Sequence, residues 1–213
     1  MRLLVSLLLM LNIPLFSAER TEDNITDTER LGMAIDYFAG GKYHEALILF
    51  NGLDKKYNLN PRFKAYIGIC YYYDWKYEEA CSYLDAAIPH LEGYAPHERS
   101  IYYNTAAESH FEIKEYDKAI PLYEKQLLVC YDNEKGDALF RLGFCYMFRE
   151  NWVNALDYFK SALAYYTRFP KPGTQTRLRQ LENMIKGCED KSADILQHYM
   201  PDSQTTNRHD SIK

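Results

Sequence analysis

The sequence of 213 residues predicts an all-α protein, a right-handed α-solenoid of about four helical hairpins that ends in a C-terminal capping helix. The main observation is an internal repeat in which an aromatic residue is followed three positions later by alanine. The four alanines are Ala46, Ala80, Ala119 and Ala155, at spacings of 34, 39 and 36 residues. Apolar residues recur at helical spacing on both sides of these alanines. Hairpins repeated at such a period bury their apolar faces by stacking on one another.

The first segment, residues 1–18, has the order of regions found in a secretory signal peptide. Arg2 precedes an apolar stretch over residues 3–16, and Ser17-Ala18 then leads into a polar run. This stretch is shorter than the roughly 20 residues that a membrane-spanning helix needs. We therefore predict an exported protein, periplasmic or extracellular, that is not inserted in a membrane after cleavage. An uncleaved anchor is the alternative.

The repeated hairpins follow at residues 27–60, 61–94, 100–133 and 136–169, within a domain of residues 19–200. Twelve positions before each repeated alanine lies a small residue, and four positions after it a large one. The small residues are Ala34, Gly68, Ala107 and Gly143; the large ones are Phe50, Leu84, Tyr123 and Phe159. Small residues allow two helices to approach closely while large ones fill the grooves beside them. Each unit is therefore predicted to be two helices joined by a short polar turn.

Three further segments complete the chain. Residues 89–97 contain Pro89, Gly93 and Pro96, which predict a longer loop on one rim of the solenoid. Residues 173–200 carry apolar residues at helical spacing among polar ones, as expected of capping helices. Residues 201–213 are polar throughout, and we predict a disordered tail.

The repeated units resemble the tetratricopeptide repeat (TPR) family. The fourth unit matches its signature best, through Leu139, Leu142-Gly143, Tyr146, Ala155, Phe159 and Ala162. The third unit departs from it, with His110 in place of a tyrosine and Gln126 in place of a late alanine. The resemblance covers residues 27–170 and implies an architecture rather than an activity.

The composition and motifs narrow the function. A net charge of −5 disfavours a nucleic-acid binder, which needs a basic surface. No motif of a hydrolase, a nucleotide-binding loop or a metal site is present, so we predict no catalytic residue, cofactor or metal. His90 and His97 share the rim loop and give a weak indication of a metal site there. The five cysteines are interpreted as small buried residues, with disulfides as the alternative that export would permit.

The surface predicted to bind is the concave face, because the TPR resemblance places ligand contacts on the first helix of each hairpin. The candidate residues are Ile35, Phe38, Ile69, Tyr72, Tyr73, Asn104, Glu108, Glu112, Phe140, Phe144 and Met147. The clamp with which some family members hold a C-terminal carboxylate is absent, since apolar residues occupy its positions. The alternative interpretation is that some of these rings belong to the core.

These observations predict a non-enzymatic exported adaptor that binds a protein or peptide in an aromatic groove. Two alternatives are a structural subunit of a cell-envelope assembly, docking through its convex face or capping helix, and an enzyme with a site in the rim loop. For the groove we expect a ligand with a Lys or Arg opposite Glu108 or Glu112. The competing expectation is that Arg141 already neutralises Glu108.

Overall fold

The computed structural model describes residues 25–199, with side chains up to residue 195. Within that range it contains helices and no strands. The helices are α1 Asp27–Ala39, α2 Tyr43–Tyr57, α3 Pro61–Tyr73, α4 Tyr77–Ala87, α5 Pro96–Glu112, α6 Tyr116–Val129, α7 Lys135–Phe148, α8 Trp152–Arg168 and α9 Thr174–Tyr199. The predicted fold class is confirmed: the helices form a right-handed α-solenoid of hairpins with a capping helix. The predicted signal peptide and the predicted tail lie outside the described residues.

Successive helices pack against each other along the chain, and α9 packs against α8. Helix α3 also contacts α5, which places the first helices of the second and third hairpins side by side. The residues that the predicted repeat register places between the helices are the ones that are buried there. The four repeated alanines and the four large residues after them are all fully buried: Ala46, Ala80, Ala119, Ala155, Phe50, Leu84, Tyr123 and Phe159.

The turn within each hairpin has the same backbone conformation. The residue two positions before the second helix is left-handed in all four turns, with φ of 73° at Gly41, 56° at Trp75, 63° at Lys114 and 58° at Glu150. The next residue donates its backbone N–H to the carbonyl five positions earlier, as Asn151 does to Tyr146 at 2.9 Å. This arrangement satisfies carbonyl groups that the end of the first helix would otherwise leave unpaired.

Two segments differ from their predicted boundaries. A short 3-10 helix at Ile88–His90 follows α4, and α5 begins at Pro96, whose fixed φ suits the first position of a helix. The predicted rim loop is therefore shorter, and His97 belongs to α5 rather than to the loop. The segment after residue 173 forms one continuous helix, α9, where the sequence indicated a helix that a second short one continues.

The core consists of clusters that follow the hairpins. Four cysteines are buried, and three of them belong to separate clusters: Cys70 near the first hairpin, Cys145 between the third and fourth, and Cys188 between the fourth and α9. All five cysteines lie within the described range and none forms a disulfide. Burial raises the pKa of Cys70 and Cys145 to about 12, so these thiols are protonated at neutral pH.

Candidate functional site

A groove with a volume of about 880 Å³ runs along the inner face. This volume lies within the range of about 300–1,000 Å³ that is usual for ligand pockets. One wall is formed by the start of α2 and the end of α3, the middle by α5 and α7, and the far wall by α9. The main lining residues are Tyr43, Tyr72, Tyr73, Ile101, Asn104, Thr105, Glu108, Gln126, Glu134, Asp137, Phe140, Arg141, Phe144, Arg177 and Gln180.

Tyrosine rings form the wall at the first two hairpins. The rings of Tyr43 and Tyr73 are stacked with centroids 4.0 Å apart, and Tyr72 meets Tyr73 edge to face at 5.2 Å. Tyr73 is 50% exposed, and Ile101 across the groove is 45% exposed. Exposed aromatic and apolar side chains on a concave surface provide contact area for a ligand, because burying them on binding is favourable.

An ion pair occupies the centre of the groove. The Arg141 guanidinium lies 2.5 Å from Glu108 Oε2, and the Tyr123 hydroxyl donates to Glu108 Oε1 at 2.7 Å. Glu108 is only 8% exposed, and burial raises its pKa although Arg141 and Tyr123 favour its charged form. The structure therefore shows the ion pair of the competing expectation, in which Arg141 neutralises Glu108. Glu112, one turn later, is exposed and does not line the groove.

The far wall is contributed by the capping helix. The Arg177 guanidinium carbon lies 4.2 Å from the centroid of the Phe140 ring, a cation–π contact, and Arg177 Nη1 donates to Gln180 Oε1 at 3.3 Å. Phe140 in turn meets Phe144 edge to face at 4.8 Å. The groove is thus aromatic at both ends, and at the α9 end a cation faces it.

Most polar side chains in the groove have partners within the protein. Thr105 donates to the Ile101 carbonyl, and Glu134 lies 3.2 Å from the His97 ring nitrogen Nε2. Asp137 accepts from the Tyr166 hydroxyl. Gln126 differs from them because it is only 6% exposed and its Oε1 is buried without a hydrogen-bond partner among the described residues.

Six of the predicted binding residues line this groove: Tyr72, Tyr73, Asn104, Glu108, Phe140 and Phe144. The other five lie elsewhere. Ile69 is 4% exposed in the core, and Phe38 stacks on Tyr66 with centroids 4.3 Å apart. Met147 packs against the core of the fourth hairpin, and Ile35 and Glu112 are exposed outside the groove. The interpretation of some rings as core therefore holds for Phe140, which is 6% exposed within a core cluster although it also lines the groove, and for the half-buried Phe38, which packs against the core. The same is true of the apolar Ile69.

Sequence reasoning did not include several groove residues in the candidate set. Arg177 and Gln180 are three residues apart on α9, a spacing that places them on one helix face, but only the packing of α9 shows which face it presents. Gln126 was visible in the sequence as a departure from a small residue in the repeat. Its position next to the groove depends on how the third hairpin stacks against the fourth.

The histidines have structural surroundings. His110 is 1% exposed, and its ring nitrogens lie 3.1 Å from Asp85 and 2.8 Å from Glu115. His97 stacks on Tyr131 with ring centroids 4.2 Å apart. Over residues 25–195, His, Cys, Asp and Glu side chains nowhere form a group of three or more suited to a metal ion.

In the described part of the chain, none of the helices has the length and apolar character needed to cross a membrane.

Two adjacent segments of the chain match known repeats. Residues 108–136 and 137–167 each match a family model described as tetratricopeptide repeat. No curated protein matches the sequence. Similar solved structures include MamA AMB-1 (TM-score 0.59, 16% identity, 83% of this chain and 98% of that chain). Others are MamA 41-end from Desulfovibrio magneticus RS-1 (0.58, 14%, 83% and 97%) and apo RapI (0.60, 14%, 83% and 68%).

Because the sequence identities are low, the similar structures support the fold alone. The type of repeat is supported by the two adjacent sequence matches. Both matches fall in the third and fourth hairpins, and the first two hairpins share their turn geometry and packing register. Residues 108–167 therefore carry tetratricopeptide repeats, and the described part of the chain folds as a helical solenoid similar to those of MamA and RapI.

Proposed function

We propose that this protein is a non-enzymatic adaptor that binds an extended segment of a partner protein in its concave groove. The observation that carries the proposal is the groove itself, about 880 Å³ in volume and lined by side chains of several helices, among which Tyr73 and Ile101 are exposed. Solenoids of this kind present extended concave surfaces to their partners. The tetratricopeptide repeats and the similarity to MamA and RapI folds favour a scaffold for protein interactions.

The chemistry of the groove supports a peptide segment as the ligand. Tyr72 and Tyr73 offer ring faces and hydroxyl groups together, and tyrosine is enriched at residues that dominate binding energy. Asn104 offers a half-buried carboxamide to the groove, one helical turn before Glu108 on α5. The side chains of an extended peptide segment can pack against the tyrosine rings, and its main-chain polar groups can hydrogen bond with the Asn104 carboxamide.

The proposal is tested by selecting peptides from a displayed random library on the full chain. Selected peptides are then measured against a groove variant, Tyr73→Ala/Ile101→Ala, and a matched control, Tyr57→Ala/Leu128→Ala, whose side chains are 53% and 85% exposed outside the groove. We expect the groove variant to weaken binding by about tenfold or more, because two side chains that the ligand covers are lost, and the control to bind as wild type does. Failure to enrich any peptide, or equal weakening in both variants, contradicts the proposal.

We further propose that the protein is exported to the periplasm or the extracellular space. The support is the apolar stretch over residues 3–16 followed by Ser17-Ala18. Fractionation of cells that produce the full chain, with intact mass measurement, tests this proposal. The expected product lies outside the cytoplasm and has lost residues 1–17 or 1–18; a cytoplasmic product that keeps these residues contradicts it.

A further inference from the structure

The carboxamide of Gln126 is buried beside the groove without a partner for its oxygen. The residue is 6% exposed on α6 and lines the groove, and Oε1 makes no hydrogen bond with the described residues. A buried acceptor left unsatisfied destabilises the fold. The unpaired oxygen is an acceptor, so the group that complements it is a donor, such as a main-chain N–H of a ligand.

The guanidinium of Arg177 is a charged group without a carboxylate partner in the described part of the chain. It rests on the Phe140 ring at 4.2 Å and donates to Gln180. The acidic residues that line the groove are engaged elsewhere. Glu108 pairs with Arg141, Glu134 with His97, and Asp137 with the Tyr166 hydroxyl and with Lys171 Nζ at 3.6 Å.

We propose that the α9 end of the groove is a subsite for an acidic residue of the bound segment. The Asp or Glu carboxylate of that residue pairs with Arg177, and a neighbouring peptide group hydrogen bonds with the Gln126 carboxamide. This inference rests on the proposed function and adds the charge that the ligand carries at one position.

The geometry of Arg177 suits this role. The Arg177 guanidinium carbon lies over the Phe140 ring and one of its nitrogens donates to Gln180, and a guanidinium has further N–H groups with which to bind a carboxylate through two parallel hydrogen bonds. The net charge of the protein is −5, so its overall field does not attract acidic ligands. The preference therefore has to come from this local contact rather than from the protein as a whole.

The experiment compares peptide selections on three full-length proteins: wild type, Arg177→Gln and Arg179→Gln. Arg179 is exposed on the same helix and does not line the groove. Arg179→Gln therefore controls for the loss of one positive charge outside the groove. We expect selected peptides to be enriched in Asp or Glu at one position on wild type and on Arg179→Gln. The enrichment should be lost on Arg177→Gln.

Synthetic versions of the peptides selected on wild type then localise the contact. Replacing the acidic residue by its amide should weaken binding to wild type about tenfold and leave binding to Arg177→Gln unchanged, since the partner is already missing. Gln126→Leu should weaken the acidic peptide and its amide version equally. Thermal unfolding of the three variants confirms that each is folded.

Several results overturn the inference. If groove-dependent peptides are selected without an acidic preference, or the preference survives Arg177→Gln, the subsite is wrong while the proposed function stands. Binding that needs a free C-terminal carboxylate, and is indifferent to the acidic side chain, also overturns it. If no peptide is selected on any of the proteins, the inference falls together with the proposed function.

Discussion

Two hairpins have a glycine where their helices cross, because the helices lie too close together there for a larger residue. A Cβ atom built on Gly143 lies 2.4 Å from Phe159 Cε1, and one built on Gly68 lies 2.6 Å from Leu84 Cγ. The rings and branched side chains opposite are fully buried and have no room to move aside. These two contacts fix the register of the second and fourth hairpins.

Gly143→Leu is therefore expected to unfold the last hairpin, because overpacking at this contact costs about 1–3 kcal/mol or more. The control is Gly187→Ala in α9, where a Cβ meets nothing within 4 Å. That change should raise stability by roughly 0.5–1 kcal/mol, since alanine favours a helix more than glycine does. Chemical unfolding measures both changes. An unchanged unfolding free energy for Gly143→Leu would show that the repeat register is wrong.

His110 is a buried residue whose charge is held by its neighbours. Burial lowers its pKa and is the largest single effect, but the interactions with Asp85 and Cys81 together outweigh burial and raise the pKa to about 10. Glu115 lies 2.8 Å from the other ring nitrogen. The imidazolium thus replaces the aromatic packing of the other repeats with an ionic contact between the second and third hairpins.

This contact makes stability depend on pH in a defined window. A histidine whose folded pKa exceeds its unfolded value of about 6.5 stabilises the fold fully below pH 6.5, and this contribution is lost as the pH rises towards 10. We expect a loss on the order of 2 kcal/mol, less than the full shift implies because solvent screens the half-exposed carboxylates. Unfolding free energies of wild type and His110→Gln between pH 6 and pH 9.5 test this. Parallel curves for the two proteins would refute it.

The hairpin turns are the elements in which local strain is stored. All four have a left-handed residue at the same position, yet only Gly41 is a glycine. For residues with a side chain this conformation costs roughly 1–2 kcal/mol. Trp75, Lys114 and Glu150 adopt it because the turn must close between two helices whose register is fixed by packing.

Glu150→Gly should therefore stabilise the protein by roughly 0.5–1 kcal/mol, because glycine adopts this conformation without steric cost and loses only chain entropy. The matched change Glu182→Gly, at an exposed position inside α9, should instead destabilise it by about 1 kcal/mol. Thermal or chemical unfolding of the two variants gives the comparison. If both changes destabilise the protein, the turn is not strained at Glu150.

The sequence predicted the helices well within the repeated hairpins, where the same packing recurs. It predicted helix boundaries less well outside the repeat. The period of small and large residues predicted each hairpin, because close helix pairs need the same pattern each time. The start of α5 was missed, since Pro96 allows the helix to begin before the repeat does. In the groove, Tyr72, Tyr73 and Phe144 were predicted from repeat positions. Arg177 was not, because its place depends on the angle at which α9 crosses α7 and α8.

At the scale of the whole molecule, the solenoid forms a groove that the capping helix bounds at one end. Its tyrosine end is exposed, its centre is neutralised by Glu108 and Arg141, and its α9 end has a cation. The two ends therefore differ in chemistry. If the proposed function holds, we expect this asymmetry to give a bound segment one direction, with aromatic contacts at the α3 end and an acidic residue at the α9 end.

The most direct test of binding in the groove is photo-cross-linking of a selected peptide to the full chain. A p-benzoylphenylalanine is placed at Ile101 inside the groove or at Leu128 on the outer side of α6, where the native side chains are 45% and 85% exposed. We predict a peptide adduct at Ile101, suppressed by excess unlabelled peptide, and none at Leu128. An adduct at Leu128, or binding without an adduct at Ile101, would show that the concave groove is not where this protein holds its partner.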